Sequence, residues 1–144
     1  MHPYPHVYKV GVTAASEGEV TLTSPGLANV PSTAPPEFGG PPGYWSPETL
    51  LAAAVADCFV LSFRAVARAG KLEWQSVSAD VDAVLERVDG VTRFTSFTTR
   101  ARLVIPAGGD AARARALMEK AEKVCLVSNS LTSARHLESE VVEG

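Results

Sequence analysis

Two cysteines are the residues in this sequence best suited to redox chemistry, and they lie 67 residues apart at Cys58 and Cys125. Cys58 ends the apolar stretch SPETLLAAAVADC, and Cys125 opens the stretch CLVSNSL. A free cysteine is often a small buried hydrophobic residue, so both could be core residues. Alternatively, two packed helices bring the thiols together as a reversible disulfide, which requires Cα atoms about 4.4–6.8 Å apart. Spacing alone leaves both hypotheses open.

Composition excludes several classes of protein. The chain has 144 residues and a net charge of -3, so we expect one domain, 1–144, with no surface for nucleic acid. The N-terminal residues lack the apolar centre of a signal peptide, and the apolar run Leu50–Ala56 is too short to span a membrane. We therefore expect a cytoplasmic protein with reduced cysteines. The three histidines are scattered, so no metal site is expected.

The first long helix begins at a clear capping signal. Ser46 is a good N-cap, Pro47 suits the first helical position and Glu48 suits the positive end of the helix dipole. Gly70 is the expected C-terminal stop. The helix is apolar nearly all round, which indicates burial on several sides. A homodimer, in which a second subunit covers the exposed side, would provide this burial.

The N-terminal third predicts a hairpin followed by a long loop. Residues 7–14 and 19–24 are short β-type segments separated by the turn ASEG. Residues 25–45 contain six prolines and four glycines, which predicts a loop that is functional or disordered. Its aromatic residues indicate that part of it packs: Phe38, Tyr44 and Trp45.

A second hairpin is predicted around Asp89-Gly90. A strict two-residue loop would oppose Ala79 to Arg100 and mix apolar with charged faces. A loop one residue longer, with a bulge, opposes Asp80 to Arg100 and keeps both faces consistent. The charges then form a solvated outer face and not a binding site.

A second helix is predicted from the N-cap Asp110 through Cys125, followed by a strand near RHLESEVVE. Its apolar stripe consists of Ala114, Leu117, Ala121, Val124 and Cys125. Ser128 and Asn129 are expected to terminate this helix. The resulting order, β-β-loop-α-β-β-α-β, is an α+β arrangement.

The sequence resembles the OsmC/Ohr family, the osmotically inducible and organic hydroperoxide resistance proteins. The resemblance lies in PPEFGGPPGYWSPETLLAAAVADCF and, 67 residues after its cysteine, CLVSNSL. The family pattern is a Gly/Pro loop, Pro-Glu at a helix start, a cysteine ten residues after the glutamate, and a later Cys-x-x-Ser. The resemblance implies antiparallel sheets wrapped around two central helices in an intertwined homodimer.

The resemblance also implies a thiol peroxidase that needs no metal or bound cofactor. Cys58 would attack the O–O bond of an organic hydroperoxide and become a sulfenic acid. Cys125 would then form a disulfide with Cys58, which an external dithiol reduces. A nearby resolving thiol prevents further oxidation of a sulfenate. The implied catalytic residues are Cys58, Cys125 and Glu48.

One departure from the family is the missing arginine that many members pair with the glutamate matching Glu48. Residues 1–63 contain no arginine, and Glu37 occupies about the position of the loop arginine. Nearby carboxylates disfavour a thiolate, which is the nucleophilic form of cysteine. The candidate replacements are Arg64, Arg68, Arg135 and His136, from the same chain or from the second subunit of the dimer.

Without an arginine partner, Glu48 is either a structural first-turn residue or part of the site. The departure also favours an alternative function, an OsmC-like protein that binds a small molecule or senses oxidants with little turnover. A purely structural dimer is the third hypothesis.

Overall fold

The computed structural model describes all 144 residues of the chain. They form two compact units, Met1–Leu50 and Leu51–Gly144. Each unit contains a sheet of three strands. The mixture of helices and strands confirms the expected α+β class.

The first unit is built on an antiparallel sheet of β1 (Gly11–Ala14), β2 (Val20–Thr23) and β3 (Val30–Ser32). β1 and β2 form the predicted hairpin, with shorter strands than expected. The predicted long loop is only partly a loop, because it contains β3 and a 3-10 turn at Pro36–Phe38. Pro31 lacks the backbone N–H of an ordinary strand residue, so β3 carries no clear sequence signal. Pro31 is tolerated in this strand because β3 lies at the edge of its sheet.

The predicted aromatic packing of the loop is wrong for the single chain. Phe38, Tyr44 and Trp45 are all exposed, at 61%, 45% and 51%. The backbone beside them is nevertheless fixed, since the Thr33 N–H donates to the Trp45 carbonyl at 3.0 Å. These side chains present apolar surface to solvent.

The long helix α1 covers Pro47–Ala69 and begins at the predicted cap. The Ser46 Oγ accepts a hydrogen bond from the Thr49 N–H at 3.1 Å, and the Thr49 Oγ1 accepts one from the Ser46 N–H at 2.8 Å. The reciprocal pair satisfies two donors that a helix start leaves free. The N-terminus of α1 is therefore fixed by its own sequence.

The residue that adopts the left-handed conformation at the C-terminal end of α1 is not the predicted one. Lys71, with φ of 53°, adopts the left-handed conformation, so Gly70 is not the left-handed stop. The N–H groups of Lys71 and Leu72 close the helix end in a Schellman pattern. Gly70 instead lies against Leu117, whose methyl carbons would be 3.3 Å from an added Cβ. Close packing explains the glycine.

By length and composition α1 could cross a membrane, with a mean hydropathy of 1.9 over 18 residues. The sequence-based expectation rested on the shorter run Leu50–Ala56. Core helices pass the same test, and one face of α1 is buried in the second unit. The helix is therefore weak support for a membrane span.

The second unit is built on β4 (Ser76–Val88), β5 (Val91–Ile105) and β6 (Ala134–Glu143), with β5 in the centre. Between β5 and β6 the chain forms α2 (Ala111–Val124) and the short α3 (Leu126–Asn129). β4 and β5 are antiparallel, whereas β5 and β6 are parallel. The expectation of purely antiparallel sheets is therefore wrong here, because a helical crossover connects the last two strands.

The predicted opposition of Asp80 to Arg100 is confirmed, but the extra residue lies elsewhere. Asp89 and Gly90 have φ of 51° and 78° and form a strict two-residue turn. The register shifts between Val84 and Leu85, where Thr95 of β5 has no partner on β4. A bulge inside the strand, and not a longer loop, keeps the two faces separate.

The charged outer face of this sheet is solvated, as predicted. Arg100 forms an ion pair with Asp82 at 2.6 Å, and their side chains are 45% and 63% exposed. The Arg100 guanidinium lowers the pKa of the Asp82 carboxyl through a hydrogen bond and its charge. Arg102 lies 3.8 Å from Glu140 on the same face.

α2 begins at the predicted N-cap, since the Asp110 Oδ1 accepts from the Arg113 N–H at 3.0 Å. The predicted stripe is wrong at Val124, which is 48% exposed, and it misses the fully buried Met118. Val124 lies about 80° from the centre of the buried face at 100° per residue. The core of the unit comprises Phe59, Phe63, Ala67, Ala101, Leu103, Ile105, Ala114, Met118 and Ala121.

Candidate active site

Cys58 lies in the third turn of α1, between the buried face of the helix and its open side. Val55 and Phe59 are buried at 1% and 0% exposure, whereas Leu61 is 51% exposed. Cys58 itself is partly exposed and has a free thiol. Its Sγ is 3.9 Å from the Ser62 Oγ, one helical turn later. The helix therefore presents this sulfur at the boundary between core and surface.

Cys125 lies at the end of the second helix, as predicted, where it is the C-cap of α2 and the N-cap of α3. Its φ and ψ of -61° and 105° are extended, which breaks the helix there. The side chain is fully buried and its thiol is free. The Sγ donates to the Ser128 Oγ at 3.5 Å. Ser128 thus belongs to the turn that holds this cysteine.

The structure brings the two thiols into one site. Burial raises the pKa of the Cys125 thiol, hydrogen bonding from Ser128 opposes that rise, and the adjacent Cys58 thiol adds to it. The Cys58 thiol is therefore close enough to influence the ionisation of Cys125. The burial of Cys125 fits a core role, and the Cys58 thiol beside it is only partly buried.

A cleft of ≈ 470 Å³ opens over Cys58. Its lining is mostly apolar and comprises Ala54, Asp57, Cys58, Leu61, Ser62, Ala65, Leu126 and Val127. Cys125 does not line the cleft, although Leu126 and Val127 directly follow it. A molecule in the cleft would meet the Cys58 thiol first.

Asp57 is the only charged residue that lines this cleft. The expected replacements for the family arginine do not supply a cation there. Arg64, Arg68 and His136 are exposed and do not line the cleft. Arg135 instead donates from its Nε to the Glu122 Oε1 at 2.9 Å. No cation of this unit lies beside Cys58 in the cleft.

Glu48 belongs to the first unit, in the first turn of α1, whereas both cysteines belong to the second unit. Its Oε1 is buried without a hydrogen-bond partner. It lines a separate cleft of ≈ 380 Å³ together with Phe38 and Pro35. Burying a carboxylate oxygen without a hydrogen-bond donor costs free energy. The Glu48 Oε1 is therefore suited to accept a hydrogen bond.

From the sequence, Arg135 was expected only as a cation beside Cys58, and its contacts in the structure were not predicted. Alternation along β6 gives Arg135 and Leu137 the helix-facing side of the sheet. That alternation was the available signal. Its partners, Glu122 and Asn129, are on the helices and could not be derived from spacing.

No group of three or more histidine, cysteine, aspartate or glutamate side chains is arranged to hold a metal ion.

The OsmC-like protein family matches residues 40–140. An organic hydroperoxide resistance protein of Xanthomonas axonopodis pv. citri (strain 306) is 33% identical over 120 residues, covering 82% of this chain and 81% of that protein. The chain belongs to the OsmC-like protein family.

Solved structures agree on the fold. The organic hydroperoxide resistance protein OsmC from Legionella pneumophila has a TM-score of 0.76 at 27% identity, covering 97% of this chain and 99% of that one. An OsmC-like protein of unknown function from Vibrio cholerae has a TM-score of 0.84 at 19% identity, covering 94% and 99%. The expected OsmC-like fold is confirmed.

Proposed function

We propose that this protein is a thiol-dependent peroxidase that reduces organic hydroperoxides to alcohols. Family membership, with relatives named for organic hydroperoxide resistance, supports a peroxide-related redox role. The observation that carries the finer proposal is the paired arrangement of two free thiols. One lies at an apolar cleft, and the other is fully buried and close to the first.

In the proposed first step, the Cys58 thiolate attacks one oxygen of the hydroperoxide. The O–O bond breaks, the sulfur is oxidised to a sulfenic acid, and the leaving alkoxide takes a proton to become an alcohol. The apolar walls, such as Leu61 and Leu126, favour an apolar organic group over water or hydrogen peroxide.

In the second step, the Cys125 sulfur attacks the Cys58 sulfur. The S–OH bond breaks, a disulfide forms and the hydroxyl leaves with the Cys125 proton as water. Its raised pKa supports this role, because Cys125 stays a protonated thiol and does not compete for peroxide. An external dithiol then returns both cysteines to thiols and is itself oxidised to a disulfide.

We further propose that the active unit is a homodimer located in the cytoplasm, with no cofactor or metal. Only 22% of the most apolar window of α1 is buried within one chain, and Leu61 and Leu126 are 51% and 70% exposed. A second copy would cover this surface. It could also supply the missing donor for the Glu48 Oε1, through which Glu48 would take part in the site.

The test is consumption of cumene hydroperoxide by purified protein with dithiothreitol. Wild type should turn over many times, and Cys58→Ser should consume none. Without dithiothreitol, Cys125→Ser should consume hydroperoxide only stoichiometrically and end with Cys58 as sulfenic or sulfinic acid, because its sulfenate has no resolving thiol. Normal turnover by Cys58→Ser would refute the proposal.

A second candidate is an oxidant sensor or small-molecule-binding protein with little turnover. Asp57 favours it, since a carboxylate without any accompanying cation disfavours a thiolate in the same cleft. This candidate predicts that one equivalent of hydroperoxide oxidises the protein but that added dithiol does not sustain consumption. Sustained consumption would exclude it.

A further inference from the structure

A single arginine fastens both ends of the segment that carries Cys125. The Arg135 Nε donates to the Glu122 Oε1 at 2.9 Å, and its Nη2 donates to the Glu122 carbonyl. Its Nη1 donates to the Asn129 Oδ1 at 2.7 Å. Glu122 precedes Cys125 by three residues and Asn129 follows it by four. One planar guanidinium thus bridges the end of α2 and the end of α3.

Further hydrogen bonds make the segment a closed structure. The Asn129 Nδ2 donates to the Lys123 carbonyl at 3.1 Å, and the Asn129 N–H donates to the Cys125 carbonyl at 2.9 Å. Asn129 therefore connects the arginine to the backbone of the cysteine itself. Moving Arg135 would release the side-chain contact that holds Asn129 in this position.

Arg135 is a firm anchor because it is part of the sheet. It pairs in register with Phe97 of β5, the central strand. The Arg135 and Glu122 side chains are only 27% and 16% exposed, and the Glu122 Oε2 is buried without another partner. Arg135 is the cation that pairs with the Glu122 carboxylate, and its planar guanidinium fixes the geometry in a way that lysine does not.

We propose that Arg135 is a positioning residue that holds the Cys125 thiol at the geometry required for disulfide formation with Cys58. The inference rests on the proposed function for its biological meaning. Arg135 acts through the segment and not through its charge, because it is not among the groups that shift the pKa of Cys125. Neither Arg135 nor its partners Glu122 and Asn129 line the cleft over Cys58.

This role separates the two chemical steps. Attack of Cys58 on the hydroperoxide does not use the Cys125 thiol, and the segment contributes to that step only Leu126 and Val127 in the cleft wall, so replacement of Arg135 should change the rate of attack much less than the rate of disulfide formation. Disulfide formation should slow by about 10²-fold, the effect expected when a reacting group is displaced by about 1 Å. The Cys58 sulfenate should persist and be oxidised further to sulfinic acid.

Two variants test the role without leaving a buried charge alone. Arg135→Lys keeps a cation beside Glu122 but loses the fork, and Glu122→Gln/Arg135→Met removes both charges together. The matched control is Arg102→Ala, an exposed arginine on the outer face of the same sheet. Each reduced protein is mixed with one equivalent of cumene hydroperoxide, quenched at intervals with dimedone and measured by mass spectrometry.

We expect wild type and Arg102→Ala to form the disulfide. Both Arg135 variants should accumulate dimedone adduct and sulfinic acid at Cys58, with a much smaller change in the rate of hydroperoxide loss than in the rate of disulfide formation. Wild-type disulfide rates in the Arg135 variants would overturn the inference, as would equal slowing in Arg102→Ala. A lowered melting temperature alone, without a change in the ratio of disulfide to sulfinic acid, would also overturn it.

A parallel experiment with diamide separates this inference from the proposed function. Diamide forms an adduct with one thiol, which the second thiol displaces, so it reports on the cysteine pair without peroxide. If wild type fails to react with hydroperoxide but closes rapidly with diamide, the proposed function fails alone. If the Arg135 variants then close as fast as wild type, the positioning role fails by itself.

Discussion

Cys125 is fully buried, whereas Cys58 is partly exposed. Burial raises the pKa of Cys125 above the ordinary value, and Cys58 adds to the shift. The buried thiol holds its proton more tightly in the folded state than in the unfolded state. The free energy of unfolding therefore falls as pH rises into the range where only the unfolded thiol loses its proton. This links the chemistry of one residue to a measurable pH dependence.

We predict that stability falls as pH rises above about 8.5, where an unfolded thiol ionises, because the unfolded state then loses a proton that folded Cys125 keeps. The contribution of Cys125 to the free energy of unfolding is fully present below that pH. It is lost as pH rises towards the raised pKa of the folded state, with a slope of at most about 1.4 kcal/mol per pH unit. Melting temperatures of Cys58→Ser between about pH 7 and about pH 10.5 measure it.

The control for this pH dependence is Cys58→Ser/Cys125→Ala, which lacks the buried thiol. Its melting temperature should fall less steeply over the same range. Equal slopes for the two proteins would show that Cys125 ionises normally in the folded state.

The chemical residues were partly readable from the sequence. Spacing left the pairing of Cys58 and Cys125 open, and the resemblance of the motifs around them to the OsmC/Ohr family implied it. The contacts of Arg135 with Glu122 and Asn129 were not predicted. They join a strand to two helices, and sequence spacing does not determine which side chains meet across such distances.

Met118 is a core residue that the predicted apolar stripe of the second helix left out. It is fully buried in the core of the second unit. Met118→Ala should reduce the free energy of unfolding by about 2–5 kcal/mol, through lost apolar burial and the cavity left behind. Urea denaturation measures this, with Val124→Ala as the exposed control from the same helix. A loss of similar size in both variants would contradict the assigned packing.

At the scale of elements, local signals were reliable and tertiary ones were not. Capping residues located the starts of both long helices, and face consistency required a bulge that opposes Asp80 to Arg100. The position of the bulge was not predicted. The turn at Asp89-Gly90 closes with two residues, so the extra residue is Thr95, inside β5. β3 was not predicted, because a proline inside a short segment argues against a strand.

The end of α1 provides a prediction at this scale. Lys71 adopts φ of 53°, which costs an ordinary residue about 1 kcal/mol that glycine avoids. Lys71→Gly should therefore raise the free energy of unfolding by a few tenths to about 1 kcal/mol. Lys71→Val should lower it, since a β-branched side chain is strained at positive φ. Thermal unfolding measures both, and a stabilising Lys71→Val would contradict the Schellman geometry.

At the scale of the whole molecule, the apolar surface of α1 exceeds what one chain buries. Helices with this hydropathy either enter a membrane or are covered by protein. The buried residues Phe59 and Phe63 tie α1 to the core of the second unit, which favours a protein partner. The homodimer implied by the sequence resemblance is such a partner.

We predict that purified protein has twice the mass of one chain in light scattering after size exclusion. The exposed side chains at Leu61 and Leu126 should be covered in that dimer. Hydrogen exchange should then protect the open face of α1. A monomer mass at micromolar concentration, without association with lipid vesicles, would contradict the dimer.

The central claim is that Cys58 and Cys125 are a working redox pair, and one measurement tests it most directly. Fully reduced protein is mixed with one equivalent of an organic hydroperoxide, alkylated and analysed by mass spectrometry. The account predicts a Cys58–Cys125 disulfide in most molecules, with one alcohol formed per disulfide. Unmodified thiols at both positions, with the hydroperoxide intact, would contradict it.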